Sequence, residues 1–194
     1  MSPAEALVAL GERVRSEGEP LASAVQTAEV EPAFGLLASS GPRNSAFAGE
    51  YAFVVEAVRE GYLCHYGNPR ILTGGDDDLA LLAGDLFYAI GINGLAALDD
   101  PESVGILSDL IRVAAGLRAE ARAEAAEQLW LAQLLALSCE NSDELKGLVR
   151  ALEGNEADSL KALADWSLRM AQAHGLDRAF AGARKAIDSG TFDS

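Results

Sequence analysis

Aromatic side chains make up 6% of the 194 residues, cysteine and histidine occur twice each, and basic residues are half as many as acidic ones. Each scarcity excludes something. Fifteen Lys and Arg against thirty Asp and Glu leave a net charge of -15. An extended phosphate-tracking surface is thereby excluded, and no nucleic-acid partner is expected. The same acidity repels anionic lipid headgroups. Cys64 and Cys139 are too few for a disulfide scaffold and lack metal-ligand spacing, so they read as buried, reduced thiols. The opening Met1-Ser2-Pro3-Ala4-Glu5 has neither the basic start nor the apolar core of a signal peptide, which makes a cytoplasmic location the expectation. The chain also lacks internal repeats, convincing two-residue alternation, a phosphate-cradling glycine loop, GxSxG, HExxH and zinc spacing.

What is present is helix-forming. Alanine and leucine are the commonest residues and apolar side chains reach 49%. The length suits one domain, so residues 1–189 are expected to form a single all-α bundle of about seven to nine helices, with 190–194 as a frayed tail. Ser2 before Pro3 starts a helix running to about Arg15, and a short one follows from Pro20 into the high twenties. Ser39-Ser40-Gly41-Pro42-Arg43-Asn44-Ser45 is the strongest loop signal. From Ala46 to about His65 the spacing of Phe47, Tyr51, Val54, Val55, Val58 and Tyr62 predicts a long amphipathic helix whose polar face carries Glu50, Glu56, Arg59 and Glu60. Turns follow at Gly67-Asn68-Pro69 and Gly74-Gly75, with Asp76 or Asp77 capping the next helix. Asp100-Pro101-Glu102 opens a long helix that bends near Gly116 and continues to about Leu137. Helices from Asn141 to about Leu152, from Asn155 to His174-Gly175 and from Asp177 to about Asp188 complete the chain.

Leu79 to Leu98 carries a single charge, Asp85, and is long enough to cross a bilayer. Asp85 inside hydrocarbon and flanking aspartates without Lys or Arg argue against membrane insertion. Near-continuous apolarity then predicts a central helix surrounded by other helices. Its glycines, Gly84, Gly91 and Gly94, cost helix propensity about 1 kcal/mol each, a loss that close approach of a neighbouring backbone would offset. They are the candidate interface residues.

Carboxylates that share one cation from a single helix must sit three or four residues apart. Asp76-Asp77-Asp78 and Asp99-Asp100 fail that test and read as caps and turns, so no metal site is assigned. His174 reads as a helix C-terminal residue, and Cys64-His65 fails as a nucleophile pair because adjacent helical residues diverge. Asp85, expected to be buried, needs a partner. Arg43, Arg59, Arg70 and Arg112 are the available guanidinium groups, any of which could instead hold an anion.

The block Leu79-Ala80-Leu81-Leu82-Ala83-Gly84-Asp85-Leu86-Phe87-Tyr88-Ala89, continued by Leu95-Ala96-Ala97-Leu98 and Asp99-Asp100, resembles a helix of the all-α trans-isoprenyl diphosphate synthases. Tyr62-Leu63-Cys64-His65-Tyr66-Gly67 sits where that family has a His and a Gly before the same helix. The likeness covers about residues 50–115. The DDxxD motifs that hold Mg²⁺ in catalytic members are missing, and the first is replaced by Glu56-Ala57-Val58-Arg59-Glu60-Gly61-Tyr62. The resemblance therefore implies an isoprenoid-synthase-like fold and a role like that of the small, non-catalytic component of heptaprenyl diphosphate synthase. Such a polyprenyl synthetase-like chain would act as a homodimer, or as a heterodimer with a catalytic prenyltransferase, and would need no cofactor of its own. Arg59, Arg70 and Asp85 are its candidate substrate-binding residues. Two alternatives stand beside it. One is an unrelated helical interaction domain. The other is an atypical Mg²⁺-dependent enzyme on an isoprenoid diphosphate, in which Glu56, Asp77 and Asp85 would have to converge.

Overall fold

The computed structural model describes residues 1–73, 77–139 and 142–190. The chain is all-helical there, with ten α-helices and no strand among the described residues beyond one isolated antiparallel bridge between Val25 and Leu72. The helices are α1 (Ala6–Arg15), α2 (Leu21–Ala24), α3 (Ala33–Ser39), α4 (Ala48–Tyr66), α5 (Asp77–Ala97), α6 (Pro101–Ala119), α7 (Ala123–Ser138), α8 (Asp143–Glu153), α9 (Ser159–Ala173) and α10 (Asp177–Gly190). The number exceeds the expected seven to nine for two local reasons. Residues 33–39 form a helix after Pro32 that the loop signal at 39–45 obscured. The long helix expected from Pro101 breaks into α6 and α7 at Ala121, which takes a positive φ of 58° while Arg122 N–H donates back to the Leu117 carbonyl. That is the hydrogen-bond closure a C-terminal glycine usually provides, made here without a glycine to announce it. The second helix is also shorter than expected, because residues 25 and 26 leave it to bond with residues 71 and 72. The Gly74-Gly75 turn, the Asp76 cap and the tail from 191 lie outside the described residues.

Several start signals act as the residue types dictate. Ser2 and Glu5 form a capping box at the N-terminus. Ser142 accepts from Leu145 N–H to start α8, and Gly175, at φ 67°, ends α9 behind His174. Asp100 caps α6 by accepting from Ser103 N–H at 3.1 Å, and its carboxylate also receives the Ser103 hydroxyl, the Tyr51 hydroxyl and Arg43 Nη2 at 2.9 Å. One carboxylate therefore ties the 40–47 loop, α4 and α6 together.

The core has two parts that meet on α4. The larger gathers α3, α4, α6, α7, α8, α9 and α10, with Leu95 from α5. The smaller packs α1, α2 and α5 against the other side of α4, with Ile71 and Leu72. The central helices are α7, with thirteen of its sixteen residues buried, and α4, with thirteen of nineteen. This corrects the expectation for Leu79–Leu98. α5 buries six of its twenty-one residues, and 33% of its most apolar stretch is covered. It lies at the edge, and apolarity alone did not report its depth. α5 remains long and apolar enough to span a membrane by length and composition.

The contact between α4 and α5 explains the glycines. A Cβ on Gly91 would stand 2.5 Å from Val58 Cγ2 and 3.2 Å from the Val54 carbonyl; on Gly84, 2.6 Å from His65 Nε2; on Gly94, 2.7 Å from Val54 Cγ2. Gly61 returns the contact from α4, where a Cβ would meet Tyr88 at 2.7 Å. The close approach is within the chain, so the Gly84 and Gly91 face is occupied by α4 and is closed to a partner. Gly91→Ala should lower stability by about 1–2 kcal/mol through overpacking, whereas Gly105→Ala, on an exposed turn of α6 with open space around it, should raise it by up to about 1 kcal/mol. Urea unfolding of the two variants checks the contrast.

Asp100 makes a second, pH-dependent test. Burial pushes its carboxyl up, but the hydrogen bonds from Ser103 and Tyr51, with Arg43 alongside, outweigh burial and hold it below its ordinary value. A depressed folded-state value means the stabilisation is present above the unfolded-state value and is lost as pH falls through the folded one. Asp100→Asn should therefore cost about 1 kcal/mol at neutral pH, a deficit that shrinks below about pH 4, as read by thermal melts across that range.

Candidate functional site

From Val54 to Tyr62 every residue of α4 is buried, charged ones included. Glu56 and Glu60 are fully buried and Arg59 is 5% exposed. Of the expected polar face Glu50 is exposed, whereas Glu56, Arg59 and Glu60 are interior, because α4 is packed on both sides, by the larger core and by the smaller one. Buried charges need partners, and they come from distant parts of the chain. Arg70, in the segment after α4, reaches Glu56 Oε2 at 2.6 Å and Glu60 Oε1 at 2.5 Å. Glu60 also accepts from the backbone N–H of Arg70 at 2.9 Å and of Ile71, and Glu56 accepts from Gly35 N–H at 2.6 Å. Burial opposes the charge on Arg70, but the two carboxylates outweigh it and keep the guanidinium protonated. Gly35 is where α3 crosses α4; a Cβ there would come within 2.8 Å of the Ala52 carbonyl.

Arg59 points to the other side of α4. Its Nη2 pairs with Glu127 Oε2 of α7 at 2.8 Å. Its Cζ lies 4.3 Å from the Phe34 ring centre, 4.8 Å from Tyr62 and 5.0 Å from Trp130, a cation inside an aromatic cage. Three of the twelve aromatics of this chain thus surround one guanidinium. Burial and the neighbouring Glu127 raise the Tyr62 hydroxyl well above its ordinary value, so it stays protonated.

Arg59 and Arg70 line a cavity of about 930 Å³ at the C-terminal end of α4. Tyr62, His65, Tyr66 and Arg118 contribute to its wall, Ala123 and Glu127 bring the first turns of α7, and α10 closes one side with Ala186 and Ile187. Arg118 donates through Nη2 to the Tyr66 carbonyl and sits 5.6 Å from the Tyr66 ring centre.

The structure thus brings Arg59 and Arg70 together and leaves Asp85 elsewhere. The Asp85 side chain is 80% exposed on the outer face of α5, 3.4 Å from His65 Nε2, and the His65 ring stacks on Tyr88. Asp85 was expected to be buried; it is exposed because α5 is peripheral, and none of the four candidate arginines pairs with it. Arg43 is bound to Asp100 and Glu102, and Arg112 to Asp109 and Glu153. Nor do Glu56, Asp77 and Asp85 converge: the first faces the interior while the other two are exposed. Among the described residues no group of three or more His, Cys, Asp or Glu is placed to hold a metal ion. Cys64 is buried beside Glu60, and burial pushes its thiol up to about 12, a value that leaves almost no thiolate at neutral pH. Sequence reasoning missed Arg118, Glu127, Tyr62 and Tyr66 as cavity residues. The available signal was the rarity of aromatics together with Tyr62-Leu63-Cys64-His65-Tyr66, which puts Tyr62 and Tyr66 one helical turn apart.

No protein-family profile, no curated protein and no solved structure matches this chain. The site is therefore read from its own chemistry.

Removing Arg70 would leave two buried carboxylates four residues apart on one helix without their counter-charge. Arg70→Ala should destabilise the fold by about 3–5 kcal/mol. Arg70→Met combined with Glu56→Gln and Glu60→Gln should recover much of that loss. Chemical denaturation of both variants checks the prediction; equal instability of the two would remove charge as the cause.

Proposed function

We propose that this chain is a non-catalytic, isoprenyl diphosphate synthase-like helical subunit. It works by pairing with a second helical chain, a catalytic prenyltransferase, over the outward face of α5. The observation that carries the reading is the mismatch between the composition of α5 and its burial. Among the described residues it is the one helix apolar enough to pass for a membrane span, yet only 33% of its most apolar stretch is buried, and Leu81 and Leu82 stand 50% and 56% exposed. These leucines share their face with Asp85, Ala89, Asn93 and Ala96 at three- and four-residue steps, all of them exposed. Burying the two leucines would contribute about 1.5–3 kcal/mol each. The resemblance of the Leu79–Asp100 segment to a synthase helix supports the choice of a prenyltransferase as partner.

The glycines of the same helix do not serve this contact, since α4 already occupies their face. Asp85 argues for a protein rather than a lipid partner. A carboxylate midway along the face costs about 2.5–3.5 kcal/mol in hydrocarbon, whereas a facing Lys or Arg satisfies it. A homodimer through the same face is the second form of the reading. The broader alternative is a helical interaction domain unrelated to the synthases.

Light scattering coupled to size exclusion, on the chain alone and mixed with an isoprenyl diphosphate synthase from the same genome, tests the reading. The expected result is a complex with the synthase, lost on Leu81→Glu with Leu82→Glu while the melting temperature is retained. A chain that stays monomeric in both samples overturns it, as does binding to neutral phosphatidylcholine vesicles in place of protein.

A further inference from the structure

We propose that the groove between α6 and α8 binds an extended peptide segment of another protein, one that carries an apolar side chain next to an acidic one. The groove has a volume of about 420 Å³, within the range of roughly 300–1,000 Å³ that ligand sites occupy. α5 does not line it, so its occupant is separate from the chain proposed to pair over α5. Its floor is α7, which contributes Gln133, and the apolar flanks are Ile106 of α6 with Leu145 and Val149 of α8. Thirteen of the sixteen residues of α7 are buried, and the other buried polar side chains among them have partners. Glu127 pairs with Arg59, and the Ser138 hydroxyl donates to the Leu135 carbonyl. Gln133 is 6% exposed, yet its amide bonds to nothing among the described residues, and neither amide atom is sealed from the surface. The groove is where that remaining surface opens. A leucine at this position would bury without the loss that an unpaired amide brings.

A carboxamide offers an N–H donor and a carbonyl acceptor side by side. An extended chain presents the complementary pair from its own peptide groups, whereas a helix has already spent them internally. The apolar flanks then receive a side chain of that segment, and burying it supplies affinity. The rim selects its neighbour. Glu102, Asp109, Arg112, Lys146 and Glu153 each have an ion pair within the chain. Arg150, also on the rim, has none among the described residues, so an acidic residue of the peptide is the partner that complements it. On the α6 wall Gly105 keeps the groove open, since a Cβ there would meet nothing within 4 Å.

Fluorescence anisotropy tests this on the full chain, with a labelled, end-blocked Leu-Leu-Glu-Leu peptide and its Leu-Leu-Lys-Leu counterpart as probes. The acidic peptide should bind saturably and the basic one at least about tenfold more weakly. Gln133→Leu should raise the melting temperature and yet weaken the acidic peptide by about tenfold. Those opposite signs are what a purely structural glutamine would not give. Gly105→Leu places a side chain in open space, so it should leave the fold intact and weaken the same peptide at least as much. Arg150→Gln should remove the preference for the acidic peptide over the basic one. Absence of saturable binding overturns the proposal, as does binding that neither Gln133→Leu nor Gly105→Leu alters. A fall in melting temperature on Gln133→Leu would make Gln133 a structural residue and overturn its role, and equal binding of both peptides would overturn the role of Arg150.

Discussion

The fold depends on one guanidinium shared by two buried carboxylates. Arg70 lies outside any helix, yet it holds Glu56 and Glu60 on successive turns of α4 and offers its own backbone N–H to Glu60. This fixes the segment after α4 against the helix it has just left. Ile71 and Leu72 are thereby placed in the smaller core, and Leu72 pairs with Val25. Glu56 at the same time receives Gly35 N–H from α3, so the ion cluster connects the two halves of the core through α4. A hydrophobic replacement of such a cluster is often neutral or stabilising. Its value here is positional: charges that must meet their partners allow few registers of α3, α4 and the 67–72 segment.

The α4–α5 contact shows a different constraint. Glycines at 61, 84, 91 and 94 let the two backbones approach until Val58 and Tyr88 touch main chain, which removes side-chain volume from the seam. α5 consequently meets the molecule along a narrow strip and leaves Leu81 and Leu82 outward and exposed. A helix with more side chain on its inner face would stand further off and bury more of its flanks. The same glycines that make the internal contact tight are thus the reason the external face is left uncovered.

Much of the architecture was legible in local signals. Asp100-Pro101 starts α6, Ser142 caps α8, Gly175 ends α9, and the periodicity of Tyr51, Val54, Val55, Val58 and Tyr62 marks the core side of α4. Depth was not legible. Periodicity assigns faces relative to one core, and α4 is packed on both sides, so Glu56, Arg59 and Glu60 read as solvated although they are interior. α5 failed in the reverse direction: composition implied centrality, while burial follows from how many neighbours surround a helix. The break at Ala121 was invisible because the positive φ is taken by alanine. Of the candidate ligand-binding residues, Arg59 and Arg70 do meet at one cavity, and Asp85 does not, because its distance from them depends on a seam between helices that no single segment encodes.

The charge of the chain finally separates into two populations. The surface carries most of the acidic side chains, while the buried charges on and around α4 are ion-paired, Arg70 with Glu56 and Glu60 and Arg59 with Glu127, and the wall of the cavity at its end is lined by three arginines and one glutamate. Arginines gathered at one concavity in a molecule of net charge -15 are buried or half-buried here, and two of the three are ion-paired with buried glutamates. Aromatic neighbours make that feasible. Phe34, Tyr62 and Trp130 around Arg59, and Tyr62 and Tyr66 near Arg118, stabilise cations through their ring faces without consuming N–H donors. Four of the twelve aromatics thus take part in one arrangement, in which positive charge is held inside the fold by ring faces as well as by carboxylates.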